Sequence, residues 1–272
     1  MPSVRPIVAP LSLSLVVCLA APAAAQLRAP GAALPAERYR IEIGGVLWRP
    51  TPELLVSSES LGIAGTTIDG VGDLGFARSR FGELRGVVRA ARKHKFRVHY
   101  LPIDYAAATT VERTFVFNGT VYRAGIPVDS TFTWTTWRLG YEYDFVSRER
   151  GYVGFIAEVK HTDVKLAVAA PLLDEEARAR VPVPAIGGIV RVYPADAVSI
   201  TGEVTGMNLP GSITQDDDTA KYLDWDLYVT VNVARHAGLQ VGYRSIDLQY
   251  LADEDRGRLT HKGAYIGGVV RF

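Results

Sequence analysis

The sequence predicts an all-β protein, an antiparallel transmembrane β-barrel of about ten strands. Three observations support this prediction: apolar and polar residues alternate in many segments, the connections alternate in length, and the chain ends on an aromatic residue, Phe272. A period of two gives a strand one apolar and one polar face. Segments of roughly 9–11 residues are long enough to cross a bilayer as tilted strands.

The alternation is clearest in two segments. In residues 136–145, every second residue from Trp137 to Phe145 is aromatic or leucine, and the others are polar or glycine. Residues 223–233 repeat the pattern, with apolar side chains at the odd positions. Similar segments are drawn at about residues 39–49, 83–92, 95–105, 152–164, 184–193, 197–207, 237–250 and 261–272.

The connections between these segments set the topology. Short connections at 93–94, 147–151, 194–197 and 235–238 alternate with long ones at about 50–82, 106–131, 165–183, 208–221 and 251–260. Short turns at one end and long loops at the other are typical of outer-membrane barrels. Eight strands result if one hairpin lies outside the membrane, and twelve if residues 114–122 form an extra pair.

Two local features fall in the long loops. Asn118-Gly119 lies between two β-rich triplets, which predicts a tight hairpin, and we place it above the membrane in the second long loop. Residues 170–180 are interpreted as a short helix in the third loop.

The N terminus carries the features of an export signal. Arg5, an apolar run over 7–20 and Ala23-Ala24-Ala25 predict a signal peptide over residues 1–25, cleaved before Gln26. Residues 26–38 are then a short periplasmic segment, and residues 39–272 form the barrel. The only cysteine, Cys18, lies in the removed segment, so the mature chain is expected to contain neither disulfides nor a thiolate metal site.

The polar face of the strands is expected to line the lumen. It carries charges of both signs, at Arg40, Glu42, Arg85, Arg89, Arg97, His99, Arg138, Glu142, Asp144, Glu158, Lys160, Arg191, Glu203, Asp224, Asp226, Arg244 and Arg271. Opposite charges in a narrow barrel tend to pair, which predicts an occluded lumen.

The outward face should carry aromatic girdles where the wall meets the two membrane surfaces. We assign to them Tyr39, Phe96, Phe132, Trp134, Phe145, Tyr152, Tyr193 and Phe272. The last strand, with Phe272, Val270 and Ile266 on one face, resembles the signal by which the outer-membrane assembly machinery recognises its clients.

No catalytic residue can be named from the sequence. His261 could meet Asp216-Asp217-Asp218 at the outer rim of the barrel, but no nucleophile completes such a site. No cofactor and no metal site is predicted. The 30 basic and 29 acidic residues nearly balance, which argues against a nucleic-acid partner.

Several motifs between residues 65 and 165 carry a family resemblance. Thr67-Ile68-Asp69, Asp73-Leu74-Gly75, Arg92-Lys93-His94-Lys95, Phe117-Asn118-Gly119, residues 124–130 and Leu139-Gly140-Tyr141-Glu142-Tyr143 together resemble a family of small proteobacterial outer-membrane β-barrel proteins. The resemblance implies the fold and an outer-membrane location, and it supplies no catalytic residues.

These observations favour a non-enzymatic role in envelope structure or surface interaction. A narrow selective channel for small solutes is the first alternative, and a rim hydrolase acting on peptides or lipids is the second. The expected partners are outer-membrane lipid, lipopolysaccharide and the assembly machinery. The oligomeric state stays open.

Overall fold

The computed structural model describes residues 39–57, 65–209, 219–252 and 255–272, and within these ranges the regular structure is all β. The strands are β1 (Ile41–Trp48), β2 (Thr51–Ser57), β3 (Ile68–Asp69), β4 (Phe81–Ala91), β5 (His94–Thr110), β6 (Phe115–Phe117), β7 (Thr120–Tyr122), β8 (Pro127–Arg148), β9 (Gly151–Ala170), β10 (Leu173–Ala195), β11 (Val198–Leu209), β12 (Thr219–Asn232), β13 (Ala237–Ala252) and β14 (Asp255–Arg271). In the described part of the chain, no helix is long and apolar enough to span a bilayer.

Ten of these strands close into an antiparallel barrel. Their order is β1-β4-β5-β8-β9-β10-β11-β12-β13-β14, and β14 returns to pair with β1, with Glu42 opposite Arg271. The predicted ten-stranded barrel is therefore confirmed. Beyond Arg49-Pro50 the first strand continues as β2, which keeps the same register on β14, and β3 pairs with β2.

The chain termini of the barrel and the short connections lie at one end, which we call the short-turn end. The connections there are residues 92–93, 149–150, 196–197 and 233–236, close to the predicted turns. The backbone of Phe272 closes the wall at this end, because its N–H donates to the Ile41 carbonyl at 2.8 Å and its own carbonyl accepts from Ile41 at 3.1 Å.

At the opposite end the strands are much longer than the sequence predicted. β8 has 22 residues and β10 has 23, and β9 and β10 are joined by only two residues, 171–172. The predicted third loop and its short helix over 170–180 are therefore wrong. This stretch alternates charged residues with aliphatic ones, and Arg178 and Glu176 reach across to Asp163 and Lys165 on β9.

The wall has two sections that differ in which face is apolar. In the belt section, near the short-turn end, apolar side chains point outward and charged ones inward; on β8 it covers residues 137–145. In the upper section the arrangement is reversed: Phe132 and Trp134 point inward, and Thr131, Thr133 and Thr135 point outward. The outward face of the belt section suits lipid, whereas that of the upper section suits water.

The reversal corrects part of the girdle assignment. Phe96, Phe145 and Phe272 are exposed on the outside, as predicted. Five aromatics assigned to the girdle are instead buried in the interior, namely Tyr39, Phe132, Trp134, Tyr152 and Tyr193. Aromatic rings fill a narrow barrel as readily as they mark its outer boundary, and only their parity along the strand separates the two positions.

A cap covers the upper section; it consists of residues 65–80 and the β6–β7 hairpin. The hairpin turns at Asn118 and Gly119 with φ angles of 49° and 79°, as the Asn-Gly signal predicted. Glu175 accepts hydrogen bonds from Asn118 and Thr120, and the Tyr122 hydroxyl donates to the Val168 carbonyl at 2.8 Å. The hairpin is thus fixed to the β9–β10 hairpin.

Candidate functional site

The interior of the belt section is filled with charged side chains that the period of two turns inward. Thirteen of them form one connected network of ion pairs no longer than 3.4 Å. The carboxylates are Glu83, Glu142, Asp144, Glu158, Glu203, Asp224 and Asp226, and the cations are Arg85, Lys95, Arg97, Arg138, Lys160 and Arg244.

Asp224 and Arg138 hold the middle of this network. Asp224 lies 3.2 Å from Arg138, 3.1 Å from Lys160 and 2.8 Å from Arg244. Arg138 also contacts Glu158 at 3.0 Å and Glu203 at 2.9 Å, so its guanidinium joins carboxylates from three different strands. Such cross-lumen pairing ties opposite walls together and satisfies charges that would be costly to bury alone.

Two smaller groups lie toward the short-turn end. Arg271 Nε is 2.5 Å from Glu42 Oε2, so this pair joins the first and last strands across the seam of the barrel. Arg191 donates to the Thr201 hydroxyl at 2.8 Å and to the Tyr228 hydroxyl at 3.0 Å. A cavity among these charges has a volume of about 30 Å³, enough for about one water molecule.

Most predicted lumen residues occupy the interior, and a few differ. Arg40 is exposed at the short-turn end, just before β1, so it lies outside the buried network. Arg89 is half-buried, with its guanidinium 4.7 Å from the centre of the Tyr39 ring. His99 is buried, with Nδ1 3.6 Å from a Glu83 oxygen, which is too long for a strong hydrogen bond.

Two members of the network, Glu83 and Lys95, are not among the predicted lumen residues. Both are buried, and Lys95 Nζ lies 2.6 Å from Glu142 Oε1 and 2.9 Å from Asp144 Oδ2. Each has the same parity as inward residues already assigned on its strand, Arg85 and Arg97. That parity was sufficient to find them.

The histidine considered for a rim site is enclosed instead. His261 is fully buried in the upper section, where its ring stacks on Tyr105 and Phe132 and meets the edge of Trp134. Neither ring nitrogen has a hydrogen-bond partner among the described residues. The three aspartates that were predicted to meet His261 at the rim lie outside the described residues; they are Asp216, Asp217 and Asp218.

The residues of the predicted assembly signal share one outward face. Phe272, Val270 and Ile266 are exposed on β14, with Phe272 66% exposed at the edge of the belt section. Their geometry agrees with the sequence pattern, and recognition by the assembly machinery stays a prediction.

The described residues contain no group of histidine, cysteine, aspartate and glutamate side chains arranged to hold a metal ion.

Comparison with known proteins shows the fold class. No protein-family model and no curated protein sequence matches the chain. The structure is similar to the outer membrane protease OmpT from Escherichia coli, with a TM-score of 0.59 and 7% identity over 85% of this chain and 96% of that one.

A weaker structural likeness is found to the translocator domain of the autotransporter NalP from Neisseria meningitidis, with a TM-score of 0.40 and 11% identity over 85% of this chain and 88% of that one. Another is found to Ail, the attachment invasion locus protein of Yersinia pestis, with a TM-score of 0.37 and 8% identity over 84% of this chain and 99% of that one. At such identities the OmpT likeness shows the fold alone: this chain has the fold of outer-membrane β-barrel proteins.

Proposed function

We propose that this chain resides in the outer membrane as a sealed, non-conducting barrel, and that its role is exerted by the upper section at the cell surface. It is a role in envelope structure or surface interaction, without catalysis. The observation that carries the proposal is the connected ion-pair network, which fills the lumen at the level of the lipid-facing belt.

The network argues against passage of solutes through the barrel. A conducting path needs space for water along its length, whereas the cavity among these charges is about 30 Å³. To open a path, several buried pairs would have to separate together, and each separation leaves a charge uncompensated, at a cost of about 3–5 kcal/mol. The narrow-channel alternative therefore requires a large rearrangement of the interior.

The rim-hydrolase alternative gains no support from the geometry. A general base must lie within hydrogen-bond reach of a nucleophile or a bound water. His261 is instead enclosed by aromatic rings, with no acid, base or hydroxyl bonded to its nitrogens in the described part of the chain.

The location is tested with single cysteines, since the only native cysteine is Cys18, in the predicted signal peptide. Val121→Cys on the exposed edge of the cap and Arg92→Cys in a short turn form a matched pair. In intact cells, a membrane-impermeant maleimide should label Val121→Cys and should label Arg92→Cys only after the outer membrane is permeabilised. The reverse pattern would overturn the proposed orientation, and labelling of neither after permeabilisation would overturn the location.

Transport is tested by swelling of proteoliposomes in an uncharged pentose. We expect vesicles with the wild-type protein to swell no faster than protein-free vesicles. Swelling that rises in proportion to the amount of folded protein would favour the channel.

A further inference from the structure

The wall of the upper section has an unpaired edge between β10 and β11. β10 pairs with β9 from Leu173 to Val192, but its pairing with β11 begins only at Ile186, opposite Gly206. For residues 173–185 the described part of the chain provides no hydrogen-bonded neighbour on the β11 side. Within the described ranges the barrel wall is therefore open at this place, above the point where Ile186 and Gly206 meet.

Two prolines keep this edge from pairing. Pro182 and Pro184 have the same parity on β10, so the N–H positions that they lack face the same neighbouring strand. The Tyr193 N–H donates to the Arg150 carbonyl on the β9 side, and the register with β9 is continuous, so the nitrogens of even-numbered residues, Pro182 and Pro184 among them, lie on the β11 side. Proline is found on strand edges that do not pair, which makes the opening a property of the sequence.

An apolar cavity lies directly behind the opening. Its volume is about 370 Å³, within the range of roughly 300–1,000 Å³ typical of small-molecule sites. Leu166, Val183, Leu248 and Leu259 form its walls, from four different strands. Val181, at the opening, has inward parity and is nevertheless 51% exposed.

The opening adjoins the lipid-facing surface. Ile186, where the β10–β11 pairing begins, is an outward residue of the belt section and 65% exposed. A groove on the same outer face, lined by Phe155, Val190, Val204 and Leu227, runs over the neighbouring part of the wall. The apolar outer surface of the belt thus reaches the edge of the opening at Ile186.

Excess positive charge lies at the mouth of the cavity. Arg178, one of the lining residues, and Arg180 both bind a single carboxylate, Asp163, at 2.6 and 2.9 Å. The hydrogen bonds from Arg178 and then Arg180 lower the pKa of Asp163 to about 2, so the carboxylate is ionised at neutral pH. Two guanidinium groups on one carboxylate leave one positive charge for an anionic group.

We infer that this cavity binds one hydrocarbon chain of an anionic amphiphile, which enters through the opening between β10 and β11, with its head group at Arg178 and Arg180. The chain is that of a free fatty acid or of a membrane lipid, since both present the same chemistry to the cavity. This binding does not depend on whether the lumen conducts.

The test is photocrosslinking in proteoliposomes with a palmitate that carries a diazirine at its methyl end. Belt residues such as Leu139 and Ile266 should be labelled in any case, because they face the bilayer. The inference predicts further adducts at Leu166, Leu248 and Leu259, inside the wall. Labelling confined to belt residues would overturn it, and this result is separate from the swelling and surface-labelling outcomes.

Variants make the assignment specific. Ala177→Phe and Ala220→Phe, two lining positions, should each lower interior labelling at least several-fold and leave belt labelling unchanged. The matched control Ala264→Phe places the same ring on the lipid face and should lower neither. Interior labelling that persists in both filled variants would contradict the proposed pocket, and the wild-type map decides the question alone if they fail to fold.

Two further arms identify the occupant. A phosphatidylcholine with the same diazirine chain labels the interior if membrane lipid is an occupant, and labelling by palmitate alone assigns the site to free fatty acid. The double variant Arg178→Gln/Arg180→Gln should reduce interior labelling by the acid and leave labelling by the corresponding alcohol unchanged. Equal loss with both probes would overturn the role given to the head group.

Discussion

A positive charge at Leu227 tests where lipid meets the barrel wall. Leu227 lies near the middle of the belt section on β12 and faces outward, with 53% of its surface exposed. Replacing it by arginine removes about half the contact of a leucine with an apolar medium, about 1 kcal/mol. Placing a cation near the bilayer midplane costs about 2–4 kcal/mol more. The free energy of folding into vesicles should therefore fall by about 3–5 kcal/mol in total.

The matched control is Thr133→Arg, which also faces outward but lies in the upper section, opposite Asp104. The new guanidinium there meets water and a carboxylate, so stability should change by no more than about 0.5 kcal/mol. Urea titration of both variants in vesicles, followed by tryptophan fluorescence, gives the two values. Equal losses at the two positions, or a loss at Leu227 below about 1 kcal/mol, would refute the division of the wall into belt and upper sections.

Three other perturbations have expected outcomes. Asp224→Ala leaves three buried cations without their shared carboxylate, and the free energy of unfolding in the same urea titration should fall by about 3–5 kcal/mol. The control Glu176→Ala, on the water-facing surface, should leave the urea midpoint unchanged. Equal shifts in the two variants would count against the network. Gly119→Val forces a branched side chain into a backbone with φ of 79°, which strains the turn of the cap hairpin. Limited proteolysis should therefore cut this hairpin faster, while the barrel keeps its heat-modifiable gel mobility. An unchanged cleavage rate would contradict the turn assignment. Phe272→Ser should slow assembly in cells, which is measured as less heat-modifiable protein at early times. The control Phe145→Ser, which changes another exposed aromatic residue of the belt, should not slow it. Equal assembly rates would remove Phe272 from the assembly signal.

The barrel could be predicted from the sequence because its signal is local. Alternation along segments such as 136–145 specifies strands, and the short turns between them force antiparallel neighbours. The Asn118-Gly119 turn was equally predictable, since few residues adopt two successive positive φ angles. An even number of such strands brings both ends of the barrel to the same side, where β14 pairs with β1.

The upper section was not predicted, because its polar residues point outward and its apolar residues inward, the reverse of the belt section. The sequence pattern predicts a loop over residues 165–183, although Val181 and Ala179 alternate with Arg180 and Arg178 there. The polar residues face water and the apolar ones face an interior, as in a soluble barrel. Such a segment does not fit the pattern of a lipid-facing strand, although it has the period of two that is typical of any half-buried strand.

The candidate site was partly predictable for the same reason. Parity assigns inward charges such as Arg138 and Asp224, and it would also have found Glu83 and Lys95 at the strand ends. The pairing of these charges depends on which strands face one another across the lumen, which no local pattern contains. The opening beside Pro182 and Pro184 likewise required the register between β10 and β11.

The sealed lumen is tested most directly by single-channel recording of purified, folded protein in planar bilayers. The wild type should give no stable conductance steps. The double variant Arg138→Ser/Glu158→Ser removes one buried pair without changing the net charge, and it should also give no stable steps, because the remaining pairs still fill the lumen. Stable, reproducible steps from the wild-type protein at low voltage would contradict the account.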